Sequence, residues 1–489
     1  MKKEPLLLVF DAGTGSARCL IFDSRGKLVV KQAAPWRYQT APGGRNVFDP
    51  AGWWTTLVRL SRAALAQVDP AQVVALSATS QRQGFVGFDK EGREIIGWPN
   101  LDRSTRSPLD EATADRLYEK VGRWPGTVHT APRLAADLSI HFFLPVSDWI
   151  LYRLGGQNAI EPTQAAESCL FNIEEGRWSP EAIGAFGLES RHLPPLRRAG
   201  TILGELSEEI AREFGLRPGL PVVSGGADTQ CGTLGCGVVT PGEMALVAGT
   251  SAPLQLCLES PVFDTERRTI TGPFLLENRW VLESNAMFTG LSFARLKSLV
   301  APDLDYVKLN QGLADSGNAF TGLPFCIGSS IMDSRRGSVL PWGGMFFPLP
   351  FAEYEPLTVL RAALESAAFA VRANLEQLER VLGRVLPLET PLVMGGGASQ
   401  GYWPQLVADV LGRTITVSAQ PEVSGLGAAI CAATGKNLYT GLQEAAESMT
   451  RTGSEFVPQN VPNLEQYYRR WLEAYKGLAG LDLTQDYFN

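Results

Sequence analysis

Five apolar residues, Leu6-Leu7-Leu8-Val9-Phe10, run without alternation into Asp11-Ala12-Gly13-Thr14-Gly15-Ser16. Such a run suits a strand buried on both faces, with a carboxylate at its open end. Gly13 and Gly15 let the backbone turn tightly, so that Thr14 and Ser16 present N–H and hydroxyl groups to one point. Residues 17–23 resume as a strand, and Ser24-Arg25-Gly26-Lys27 turns the chain again before Leu28-Val29-Val30. The tip of this hairpin suits phosphate oxygens, and Asp11 suits the metal that accompanies them. Taken alone, a short Gly-rich turn is equally an ordinary hairpin with a polar tip.

The same pattern returns further along. Leu220-Pro221-Val222-Val223 runs into Ser224-Gly225-Gly226-Ala227-Asp228-Thr229-Gln230, and Met244-Ala245-Leu246-Val247-Ala248 runs into Gly249-Thr250-Ser251. Two strand-and-turn units, one near residue 11 and one near residue 250, imply a duplicated architecture with a cleft between its halves. That repeat favours phosphate binding over the plain hairpin. A third strand, Pro391-Leu392-Val393-Met394, ends in Gly395-Gly396-Gly397-Ala398-Ser399 and leads to a helix over 403–411. The glycines let backbone approach a flat ligand such as adenine, near a helix start. The division between halves is expected near Val238 to Pro241, giving domains 1–238 and 239–489.

Another buried strand, from Val73 to Ala78, ends in Thr79-Ser80-Gln81-Arg82-Gln83-Gly84. Polar groups at a strand end are where α/β folds place ligands. Arg82 offers a fixed guanidinium fork to adjacent hydroxyl oxygens. Gln83, Asn100, Asp102 and Arg103 add further hydroxyl-recognising groups. Apolar spacing predicts helices over 53–67, 205–214 and 357–382, and a small-residue helix opening at Gly425-Leu426-Gly427. Residues 131–154 read as mostly helical, with Ser147-Asp148 capping the last part, and 161–172 as a loop returning to a strand.

A net charge of −7 without any basic run argues against nonspecific nucleic-acid binding. The opening apolar stretch is too short to span a membrane and carries no cleavage pattern, so a cytoplasmic protein is expected. The seven cysteines have no zinc-knuckle spacing and read as core thiols; the three histidines form no motif. Proton transfer therefore falls to carboxylates.

The spaced set D-A-G-T-G-S from Asp11, S-Q-R-Q-G from Ser80, G-G-A-D-T-Q from Gly225, G-T-S from Gly249 and G-G-G-A-S-Q-G-Y-W-P-Q-L-V-A-D-V from Gly395 resembles the FGGY carbohydrate kinases. The match runs in order over nearly the whole chain. The resemblance implies an α/β protein of two ribonuclease-H-like domains, the actin/hexokinase type of ATPase fold, closing a central cleft on ATP, Mg²⁺ and an open-chain sugar or polyol. The N-terminal domain would hold the sugar, the first phosphate turn and the catalytic carboxylate; the C-terminal domain would hold the nucleotide.

Carried over by residue, Asp228 matches the general base, and Asp11, with Asp228, the metal site. Thr14, Gly15 and Ser16 line the first phosphate turn, and Gly249 and Thr250 the second. Gly396, Gly397 and Ser399 match the adenosine turn, and Arg82, Gln83, Gln230, Asn100 and Asp102 the acceptor site. Gln81-Arg82-Gln83-Gly84 lacks the histidine of xylulose kinases and the acid of glycerol kinases, and the opening motif looks most like the autoinducer-2 kinase branch. A small linear polyhydroxy ketone is thus the implied acceptor, either a xylulose-like ketopentose or the autoinducer-2 precursor. The resemblance leaves a homodimer open. The rival from another class is a noncatalytic sugar- or nucleotide-sensing protein on the same fold.

Overall fold

The computed structural model describes residues 4–155, 157–317, 319–336, 343–347 and 354–481. The unbroken apolar run becomes β1 (Leu6–Ala12), buried along its whole length. β2 (Ser16–Asp23) and β3 (Leu28–Pro35) follow it as antiparallel neighbours. At the turn between them the Asp23 carboxylate accepts the N–H groups of Arg25 and Lys27, both at 2.9 Å. β4 (Val73–Ser80) lies parallel to β1 on its other side, followed outward by β6 (Pro221–Ala227) and β5 (Ile202–Glu205). Parallel neighbours need a crossover, supplied here by α1 (Pro50–Leu65). It begins three residues before the apolar spacing does, because the Asp49 carboxylate takes the N–H groups of Ala51 and Gly52 and Pro50 opens the first turn.

The second sheet repeats the plan. β7 (Met244–Val247) has antiparallel β8 (Pro253–Leu258) on one side and parallel β11 (Leu392–Gly395) on the other. With β9 (Ile270–Pro273), β10 (Trp280–Asn285), β12 (Ile415–Ser418) and β13 (Thr452–Phe456) the order is β9-β10-β8-β7-β11-β12-β13. The sheets are separated in sequence between Gly235 and Met244.

Two sequence expectations are corrected. Residues 131–154 are not one helical stretch: a helix at Thr130–Ala136 gives way to a strand at Phe142–Pro145, and α2 (Val146–Gly155) follows. The strand forms because it pairs with Phe85–Phe88, with Phe88 and Phe142 stacked at 4.4 Å. Ser147 and Asp148 consequently sit inside α2, and Asp148 accepts the N–H of Glu161 at 3.0 Å instead of capping a helix. Within 161–172, Glu161 caps a short helix at Pro162–Ala166 before the strand Phe171–Asn172.

Each sheet has its own apolar core, and a third core joins them. It brings Leu7, Val9, Leu20 and Phe22 of the first sheet together with Leu426 and Ile430 of α6 (Val423–Gly435) and Leu234 of α3 (Asp228–Gly235). α4 (Pro356–Leu382) and α5 (Trp403–Leu411) cover the second sheet. α3 and α6 meet backbone to backbone. A Cβ on Gly235 would lie 2.0 Å from the Val423 carbonyl oxygen, and one on Gly427 would lie 2.0 Å from that of Cys231. All seven cysteines are buried and free.

Asp148 and Glu161, buried behind the first sheet, have their carboxyls pushed up by desolvation to about 7 and about 8. The folded chain keeps these protons where the unfolded chain has already lost them, so stability falls as pH rises toward 8. His129, pushed down to about 4 by burial, acts in the opposite sense only below its ordinary 6.5. Between pH 6.5 and 8 stability is therefore expected to fall by roughly 1.4 kcal/mol per pH unit for each proton still held, and the melting temperature with it. Asp148→Asn should flatten that slope; a melting temperature that climbs across the window contradicts the account.

Candidate active site

The turn between β1 and β2 is held from outside by three side chains. Trp36 Nε1 donates to the Gly13 carbonyl at 2.9 Å, the Tyr38 hydroxyl to that of Thr14, and Asn100 Nδ2 to the Thr14 hydroxyl oxygen at 3.0 Å. The Asn100 N–H in turn donates to Gln81 Oε1 at 3.0 Å. The turn is open at Gly15, where a Cβ would meet nothing within 4 Å.

Asp11, only 2% exposed, closes β1 opposite Arg18 in the β1–β2 register and accepts from Arg18 NH1 at 2.7 Å. Burial raises its carboxyl more than Arg18 lowers it. Glu422, just before α6, links Arg18 at 3.7 Å and pairs with Lys31. Asp228 is the first residue of α3, partly open, and accepts the Thr229 hydroxyl at 3.2 Å. Desolvation pushes its carboxyl up to about 7; the positive charge of Arg82 pulls down, and the negative charge of Asp11 pushes up. The two carboxylates singled out from sequence thus share one electrostatic environment.

Arg82, at the end of β4, reaches across to β10: its NH1 and NH2 donate to the two oxygens of Glu283 at 2.7 and 2.9 Å. Gln83, held at φ 63°, donates from Nε2 to Glu167 at 2.5 Å, while Arg133 holds the Gln83 carbonyl at 3.0 Å. Burial would raise the Glu167 carboxyl, but Arg123 at 2.5 Å and Arg82 at 3.7 Å outweigh it and hold it at about 2. Asp102 is spent on its own loop, accepting from Asn46 N–H at 2.7 Å, Trp98 Nε1 at 2.9 Å and the Ser104 hydroxyl at 2.8 Å. Gln230 is buried on α3, and its Oε1 accepts no hydrogen bond among the described residues. Sequence reasoning missed Glu283 and Glu167; the available signal was a charged residue amid otherwise buried neighbours in each case.

The second turn and the triple glycine interlock. The Ala248 N–H donates to the Gly395 carbonyl at 2.7 Å, and the Ala248 carbonyl accepts from the Ala398 N–H at 3.0 Å. Gly396 lies at φ 100°, where a Cβ would fall 2.2 Å from the Ala248 carbonyl oxygen. The Ser399 hydroxyl donates back to the Gly396 carbonyl at 2.7 Å, fixing the turn. Gly249 and Gly397 have no atom within 4 Å of where a Cβ would be, and Thr250 is exposed. Open glycines on both turns leave room for backbone to meet a phosphate-bearing ligand. Among the described residues no cluster of three or more His, Cys, Asp or Glu could hold a metal alone. Asp11 and Asp228 are two carboxylates in one field, the donor type that Mg²⁺ takes alongside waters and phosphate oxygens. Among the described residues no helix is long and apolar enough to cross a membrane.

Residues 6–235 match the model of the N-terminal domain of the FGGY family of carbohydrate kinases, and residues 244–435 that of its C-terminal domain. The putative sugar kinase YoaC of Bacillus subtilis (strain 168) is 30% identical over 446 residues, covering 88% of this chain and 90% of its own. The autoinducer-2 kinase of Salmonella typhimurium (strain LT2) is 29% identical over 506 residues, covering 97% and 95%. Among solved structures, a gluconate kinase from Lactobacillus acidophilus superposes with a TM-score of 0.84 at 17% identity, covering 98% of this chain and 99% of its own. A xylulose kinase from the same organism gives 0.84 at 17%, covering 97% and 99%. At such identity these two speak for the fold.

Proposed function

The chain belongs to the FGGY family of carbohydrate kinases, and from that membership we propose that it transfers the γ-phosphoryl group of ATP to a hydroxyl of a small open-chain sugar or polyhydroxy ketone. Xylulose-like ketopentoses and the linear precursor of autoinducer-2 are the acceptors this reading favours, the latter in keeping with the autoinducer-2 kinases at 29–30% identity. The observation that carries it is Asp228: partly open, at the first turn of α3, beside Arg82 and within the field of Asp11.

Asp228 takes the proton from the acceptor hydroxyl as the oxygen–phosphorus bond forms and the bond to the β-phosphate oxygen breaks, leaving ADP. A carboxyl raised toward 7 is well matched to that task at neutral pH. Asp11, with Asp228, would hold Mg²⁺, which neutralises phosphate charge when bound. Thr14, Gly15 and Ser16 take one side of the phosphates, Gly249 and Thr250 the other, and Gly396, Gly397 and Ser399 the adenosine. Arg82 and Gln230 face the acceptor. Asn100 steadies the Thr14 turn, Gln83 is engaged by Glu167, and Asp102 shapes the loop from behind, so these three act indirectly.

Coupled measurement of ADP release over a panel of ketopentoses, polyols, aldonates and the autoinducer-2 precursor tests the reading. Acceptor-dependent release is expected; acceptor binding without turnover by any member would instead make the chain a sensor. Gly396→Ala, which combines a disfavoured φ with a backbone clash, is expected to raise the KM for ATP tenfold or more. An unchanged ATP KM would remove that turn from the nucleotide site.

A further inference from the structure

Arg82 is the side chain best suited to sugar hydroxyls, yet it is not free to choose its direction. Glu283, 1% exposed on β10 of the second sheet, grips both terminal nitrogens of the guanidinium, at 2.7 and 2.9 Å. Its own orientation is fixed from the C-terminal side. Gln255, its register partner on β8, donates to Oε2 at 2.7 Å, and the Thr233 hydroxyl of α3 donates to Gln255 Oε1 at 2.6 Å. Asn285 Nδ2 lies 3.5 Å from Oε1. The bidentate pair therefore bridges the two halves of the molecule, and the same chain of contacts runs back to the helix that begins with Asp228.

We propose that Glu283 is a positioning residue for acceptor recognition: supplied by the opposite half, it fixes the plane of the Arg82 guanidinium so that the remaining donors face the acceptor beside Asp228. A planar fork gripped at its tip keeps its plane fixed, so that Nε–H and the outer hydrogen of NH2 stay aimed to one side. Because the grip comes from the second sheet, Arg82 is oriented only while the halves are together, so acceptor recognition and closure become one event. Without Glu283, the guanidinium would swing toward Glu167, already 3.7 Å from NH1.

The inference rests on the kinase reading and is tested on the full chain, using the acceptor that the wild type turns over best. Glu283→Gln is expected to raise the acceptor KM tenfold or more while the KM for ATP changes less than threefold. Arg82→Gln combined with Glu283→Gln should be no worse than Arg82→Gln alone, because the second change has nothing left to orient. Equal shifts in both KM values, additive losses in the double variant, or a lowered melting temperature with an unchanged acceptor KM would overturn it. Should Glu283→Gln fail to fold, Glu283→Asp carries the same test, since the shorter side chain reaches only one of the two nitrogens. A wild type that turns over no acceptor defeats the kinase reading itself, which is a separate result.

Discussion

Asp228→Asn is expected to slow acceptor phosphorylation by about 10²–10⁴-fold, the usual consequence of removing a general base. Nucleotide affinity should change less than the rate, because the groups that would hold ATP are the backbone turns at β1–β2 and β7–β11 and not the Asp228 side chain. Stability moves the other way. The Asp228 carboxyl is costly to ionise where it sits, with burial and Asp11 both resisting its charge. An amide removes that cost, so the variant should melt no lower than wild type at pH 8 and fold at least as well. Slow turnover in a well-folded protein separates a chemical role from a structural one. A variant retaining a tenth or more of the wild-type rate would exclude Asp228 as the base.

Gly427→Ala is expected to have the largest effect on stability. The added carbon would lie 2.0 Å from the Cys231 carbonyl oxygen, and the obstacle is backbone inside a helix, so no rotamer change relieves it. α6 must move off α3, opening the core that holds Leu234, Leu426 and Ile430. A cost of about 3 kcal/mol follows, read as a drop on the order of 3 °C in melting temperature for a chain of this length. Gly441→Ala is the control: its Cβ would meet nothing within 4 Å, and its loss should be small. Equal melting temperatures for the two variants would show that the helices have room to part.

What sequence could reveal here was local. Asp11 and Asp228 stood out because each closes a short apolar strand, and Gly396 because three glycines in succession follow one. Contacts between distant segments left no such trace. Arg82 and Glu283 are 201 residues apart, and although a charge among apolar neighbours marks Glu283, nothing local says that the two side chains meet. Asn100 and Asp102 read as hydroxyl-binding groups from their chemistry, but their partners, Thr14 and Trp98 among them, are set by the tertiary fold. Phe142-Phe143-Leu144-Pro145 fits a buried helix or a buried strand equally well by pattern, and only the free edge at Phe85–Phe88 decides between them.

The placement of α6 has one more consequence. Encoded near the end of the chain, it supplies the cover for Leu7, Val9, Leu20 and Phe22, which are among the first residues made. The early half therefore emerges with a greasy flank that nothing yet shields, and must wait, compact but unfinished, for some four hundred residues of synthesis to supply its lid. A chain truncated before that helix is therefore expected to expose this apolar flank and to aggregate more readily than the full chain.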